Sequence, residues 1–268
     1  MNLPFSFIFI FIIVPGVAII TTIVNITQRK KREEKLFRTG ISYLKNLRTL
    51  LTHIQQHRGL TNGFLSGNLS AEAEIQHLET LIKKEIGDVR AIDDWINQNS
   101  KWESILDHWA RLNANFKITD AESNLKQHNL LIANLLYLID DLAYAHHLGK
   151  LGLVGATDTD WRNLLSIAEF VGQARALGMG AVSKGYCSSV LRIQLNHLRV
   201  KIEASIGQSW PEAAQRDFHH LLKVIAQEVI LDQPSISPAD YFRLATVCIE
   251  HVLREFDRQV DKIQFHRK

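Results

Sequence analysis

The chain has 268 residues, of which 46% are hydrophobic and 22% charged, with only five prolines, a balance that excludes a disordered segment and fits a packed domain. A formal charge of +3, scattered along the sequence, excludes the basic footprint of a nucleic-acid binder. The two cysteines, Cys187 and Cys248, sit in apolar segments; they argue against a disulfide framework and read as buried free thiols of a reducing compartment.

In chain order, the first element is an uncharged run from Phe5 to Val24, rich in Phe, Ile and Val. At about 1.5 Å per residue it matches a hydrocarbon core of about 30 Å, with Pro15–Gly16 as a tolerable kink. No basic n-region or small-residue cleavage site marks it as a cleaved signal, so the expectation is one uncleaved transmembrane helix within residues 1–28. No Lys or Arg precedes it, whereas Arg29, Lys30, Lys31, Arg32, Lys35 and Arg38 follow in a basic juxtamembrane segment, 29–38. That asymmetry predicts a single-pass protein of the bacterial inner membrane with its large domain, 39–265, in the cytoplasm.

The rest reads as helix after helix without a strand. Leu44, Leu47, Leu51, Ile54 and Leu65 step by three and four along a helix from about Glu34 to Leu65. Ser70 is placed to cap a helix with Leu78 and Ile82, Ser100 a shorter one with Trp102 and Trp109, and Thr119 a long one through Leu131 and Leu142 to about Gly149. In the second half, Thr157 or Thr159 opens a helix holding Leu164, Ala168 and Val171. Gly185 and Gly207 bound the next, Ser209-Trp210-Pro211 starts another with proline at its first position, and Ser237-Pro238 opens the last, to about Ile263. The predicted fold class is all-α: about eight helices in two antiparallel four-helix bundles, preceded by the transmembrane helix.

Two arginines interrupt this pattern. The first stripe continues onto Arg58 and Thr61, and the stripe Leu164-Ala168-Val171 continues onto Arg175 and Gly178, each arginine falling where a leucine is expected. A buried guanidinium needs an anionic partner: a protein carboxylate, with Asp140, Asp141 and Glu169 in reach, or a bound anion, to whose planar oxygens its fork of donors is suited. Glycines beside them (Gly59, Gly63, Gly178, Gly180) offer close backbone approach or room for a ligand. The two segments also echo each other as Q-x-R-[small]-L-x-x-G, from Gln56 to Gly63 and from Gln173 to Gly180.

These segments, Q-Q-H-R-G-L-T-N-G and G-Q-A-R-A-L-G-M-G, resemble the paired arginine segments of the NIT domain, the nitrate- and nitrite-sensing domain of bacterial receptors and regulators. The closing segment P-A-D-Y-F-R-L-A-T from Pro238, followed by Ile249-Glu250, resembles that family's final helix. The resemblance covers most of residues 35–262. It implies two helical bundles with nitrate or nitrite held between arginines of facing helices. By position it implies Arg58 and Arg175 as ligands with Arg243 as a third, supported by Gln56, His57, Gly59, Thr61, Gln173 and Gly178. Where the family's first segment reads Q-R-E-R-G-L, its first arginine falls here on Gln56 or His57, a departure that bears on which anion the site prefers.

Catalytic signatures do not appear. His53 and His57 stand one helical turn apart, as in zinc peptidases, but lack the glutamate of H-E-x-x-H; His146-His147 and His219-His220 are adjacent and read as surface residues. There is no phosphate loop, no G-x-S-x-G and no kinase signature. The expectation is therefore a non-enzymatic sensor without cofactor or metal, binding nitrate or nitrite and signalling by helix repacking. No output domain is visible, so it requires a partner protein, met through the last helix or through homodimerisation of the first. The competing expectation is a scaffolding membrane protein whose arginines are salt-bridged.

Overall fold

A computed structural model describes residues 14–148, 161–207 and 210–265. Among the described residues there are nine α-helices and no strand: α1 (Val14–Leu65), α2 (Glu72–Arg90), α3 (Asp94–Asn97), α4 (Ser100–Asn115), α5 (Ala121–Ala145), α6 (Trp161–Lys184), α7 (Ser189–Glu203), α8 (Glu212–Val224) and α9 (Pro238–Phe265). The all-helical expectation holds. The eight domain helices expected become nine because the short α3 was missed, and the residues from Val14 that were expected in a separate membrane helix are continuous with the first domain helix in one element of 52 residues.

No helix of the described residues is long and apolar enough to cross a membrane, so the expected transmembrane helix is not supported. The run from Phe5 divides at this boundary. Residues 5–13 lie outside the described residues, and the remainder, 14–24, spans about 16 Å of helix, roughly half a hydrocarbon core. Beyond it α1 turns basic at Arg29 and continues into the domain unbroken.

The helix ends follow local chemistry, mostly one residue from where the sequence pointed. Asn99, not Ser100, caps α4 by accepting from the amides of Lys101 and Trp102, and Asp120, not Thr119, caps α5 through the Ser123 amide. Asp93 caps α3, and its carboxylate also accepts from Tyr43 at 2.6 Å, fastening the α2–α3 corner to α1. Ser237 does open α9: its hydroxyl accepts from the Asp240 amide and donates to the Asp240 carboxylate. Ser70 instead lies in a 3-10 turn and caps nothing, and Thr157 and Thr159 lie outside the described residues. Gly67 (φ +108°) and Gly185 (φ +65°) close α1 and α6 in the left-handed region, where a Cβ is strained.

α1 packs against α2 and α5, and α5 against α4. In the second half α6 packs against α9 and α7, and α8 against α9 and α7. The halves meet where α6 touches α1 and α5, and where α9 touches α1. One apolar core runs through both, from Leu44, Leu47, Leu51 and Ile54 of α1 to Leu164, Ala168 and Val171 of α6 and Phe256 of α9. The stripes read from sequence thus face inward, and the positions that continue them, Arg58 and Arg175, lie at the junction of the halves.

Candidate functional site

The helical period carries each stripe onto an arginine, so both guanidiniums are buried with their apolar neighbours: Arg58 is 1% exposed and Arg175 8%. Their surroundings differ. Arg58 Nη1 donates to Glu169 Oε1 of α6 at 2.6 Å and to Asn129 Oδ1 of α5 at 2.7 Å. Of the three carboxylates weighed, Glu169 is its partner, whereas Asp140 faces Arg162 and Asp141 pairs with Lys101. Arg58 Nε and Nη2 are buried with no hydrogen-bond partner among the described residues. Nη2 reaches α6 at Gly172, where a Cβ would lie only 2.7 Å from it.

Arg175 has no carboxylate within ion-pair distance among the described residues. Its Nη1 donates to the Thr246 hydroxyl of α9 at 2.9 Å, and its guanidinium lies 4.9 Å from the Phe242 ring centroid. Burial first, then the Arg58 charge, pushes its pKa down from the usual guanidinium range to about 10, with Tyr241 and Glu169 opposing. The cluster thus holds two guanidiniums against one carboxylate.

That carboxylate is densely bonded. Glu169 Oε1 accepts from Arg58 and from Gln173 Nε2 at 2.8 Å, and Oε2 accepts from Gln55 Nε2 at 2.8 Å. Gln55 lies one turn before Arg58 on the same face of α1, and Gln173 one turn after Glu169 on α6. Four donor groups of α1 and α6, on Gln55, Arg58, Gln173 and Arg175, therefore converge on the same junction.

The other expected residues fall in three places. Gln173 is in the cluster. His57 and Thr61 are buried but face α5: His57 Nδ1 lies 2.9 Å from His128 Nε2, and the Thr61 hydroxyl accepts from Asn124. Burial holds His57 at about 4 and His128 at about 3, so both rings are neutral at pH 7. Gly178 seats the Tyr241 ring of α9, whose hydroxyl donates to the Ala174 carbonyl. Gln56 is exposed, nothing crowds Gly59, and Arg243 lies on the exposed side of α9 paired with Asp240, so these do not join the buried junction. Reasoning from sequence missed Gln55, Asn129, Gly172 and Thr246. Helical phase could have found Gln55, since it lies three residues before Arg58 and Gln56 only two.

A groove of about 440 Å³ beside α4 and α5, lined by His108, Arg111, Asn124 and Gln127 among others, touches neither arginine.

The model of a protein family described as "Nitrate and nitrite sensing" matches residues 49–262. No curated protein matches the chain as a relative. Among solved structures it is similar to the NasR transcription antiterminator at 16% identity and a TM-score of 0.64, covering 90% of this chain and 73% of that one. At that identity the likeness is one of fold.

Proposed function

Because the chain belongs to the nitrate and nitrite sensing family, we propose that it is a sensory module that holds nitrate or nitrite at the junction of α1, α6 and α9, between Arg58 and Arg175. The observation that carries the reading is the charge of the cluster: among the described residues two buried guanidiniums stand against one carboxylate, which pairs with Arg58 alone, leaving one positive charge in excess. Arg58 Nε and Nη2 are donors still without an acceptor. A planar univalent oxyanion carries the charge that buried guanidiniums need and the acceptor oxygens that these donors lack. Its arrival changes the attraction between α1 and α6, and a packed interface with two arrangements then repacks as the switch. In this reading the halves are two antiparallel four-helix bundles, the apolar N-terminal run is the membrane tether, and a partner protein reads the repacking.

The Arg58–Glu169 pair favours the competing scaffold reading, since an ion pair is what a purely structural junction also contains. Arg175 favours the sensor, because among the described residues a buried cation held only by a hydroxyl and an aromatic ring leaves its charge without a carboxylate. The test is calorimetric titration of the full chain with nitrate and nitrite against a chloride control. Saturable heat with nitrate or nitrite, lost in Arg175→Ala, is expected. Heats no larger than those of chloride would remove the sensor reading.

A further inference from the structure

We infer, resting on the reading above, that Glu169 is the resident occupant of the anion cradle and that nitrate or nitrite binds by taking its place on Gln55, Arg58 and Gln173. A carboxylate is a planar, univalent O–C–O group with the outline of nitrite and of two-thirds of nitrate. Its three side-chain donors lie at 2.6–2.8 Å and come from two helices, so this is a formed oxyanion site whose present ligand is part of the protein. Asn129 Oδ1 also accepts from Arg58 Nη1, which keeps the guanidinium oriented when the carboxylate leaves. Arg58 Nε and Nη2 remain for an oxygen that Glu169 does not fill, and Gly172 keeps α6 clear of Nη2.

The competition sets specificity. A trigonal oxyanion replaces the carboxylate oxygen for oxygen, whereas a spherical halide cannot serve donors aimed at two oxygens. It also sets the threshold: the ligand binds only as tightly as it outcompetes an intramolecular anion held at high effective concentration. Glu169 is therefore a specificity-determining residue, the one that an incoming anion has to displace.

Glu169→Gln keeps the shape of the side chain and removes its charge, and Glu169→Ala removes both. Titrated with nitrate and with chloride beside the wild type, each variant should bind nitrate at least about tenfold more tightly, with nitrate-over-chloride preference changed. Binding detected only in the variants would overturn the inference together with the sensor reading on which it rests, since a ligand that the wild type never admits displaces nothing. Wild-type binding with variants that bind equally or more weakly would overturn the competition while leaving the sensor reading intact. No nitrate or nitrite binding by any of the three chains would overturn both. A variant unfolded in buffer is refolded with nitrate present: recovery of helical circular dichroism supports the inference, and failure to recover it counts against it.

Discussion

The unequal partners of the two arginines predict unequal consequences of removing them. Arg58→Ala strands the Glu169 carboxylate, which is 4% exposed, inside the junction. Breaking a buried pair from one side costs about 3–5 kcal/mol, and the lower end applies because Gln55 and Gln173 still donate to the carboxylate. Arg175→Ala strands no carboxylate. Depression of its pKa to about 10 corresponds to a few kcal/mol by which burial, and then the Arg58 charge, disfavour its charged form. Against that relief stand one hydrogen bond to Thr246, worth about 1 kcal/mol, the contact with Phe242, worth about 0.5–2 kcal/mol, and some lost packing. The opposing effects nearly cancel, so Arg175→Ala should lie within about 1 kcal/mol of the wild type while Arg58→Ala loses about 3 kcal/mol. Urea unfolding of the three chains in nitrate-free buffer, followed by circular dichroism, measures the difference from midpoints and slopes. Equal destabilisation by both substitutions would refute the reasoning, because it would mean that Arg175 has a carboxylate partner.

Two further outcomes follow from the packing. A Cβ at position 178 would sit 2.3 Å from the buried Tyr241 ring, so Gly178→Ala must displace α9 or break the Tyr241–Ala174 bond. Overpacking and the lost bond outweigh the gain of about 1 kcal/mol in helix propensity, giving a net loss of about 2–4 kcal/mol in urea melts; a variant as stable as the wild type would contradict this contact. His57 and His128 have folded-state pKa values of about 4 and 3, below the ordinary 6.5, so the unfolded chain takes up protons first as the medium acidifies. Their stabilisation is whole above about pH 6.5 and is lost as pH falls toward 4 and then 3, amounting to about 2–4 kcal/mol between pH 7 and pH 5. His128→Gln should remove about half of that pH dependence, and an unchanged dependence would show that the pair does not carry it.

How much of this was legible in the sequence depended on whether one helix or two were needed to see it. The period of α1 alone predicts that Arg58 and Thr61 turn inward after Ile54, and that of α6 predicts the same for Arg175. Period alone also separates Gln55 from Gln56, a distinction lost when the two segments were aligned on their common Q-x-R pattern: Gln173 bonds Glu169, whereas its counterpart Gln56 faces outward. Contacts between helices are another matter. That Glu169, rather than Asp140 or Asp141, meets Arg58 depends on the rotation of α6 against α1, which neither helix encodes by itself. The same limit hid Asn129 and Thr246; Arg243, implied by position from the resemblance of the final segment, lies three residues before Thr246 yet faces outward. His57, read beside His53 along one helix, has its partner across the core in His128.

The length of α1 gives a small event at the junction a large reach. Every described side chain from Val17 to Lys35 is exposed, and the helix first enters the core at Phe37. Arg58 lies near its other end, so the axis from Arg58 to Val17 is a lever arm of about 60 Å. A tilt of about 5° pivoting near Arg58 would carry the outer end about 5 Å sideways, roughly the pitch of one helical turn, and Phe37, about 32 Å along, by about 3 Å, so the core around the inner half of α1 must repack with it. The length of the shaft, rather than the size of the local movement, fixes how far away a rearrangement around Glu169 can be felt.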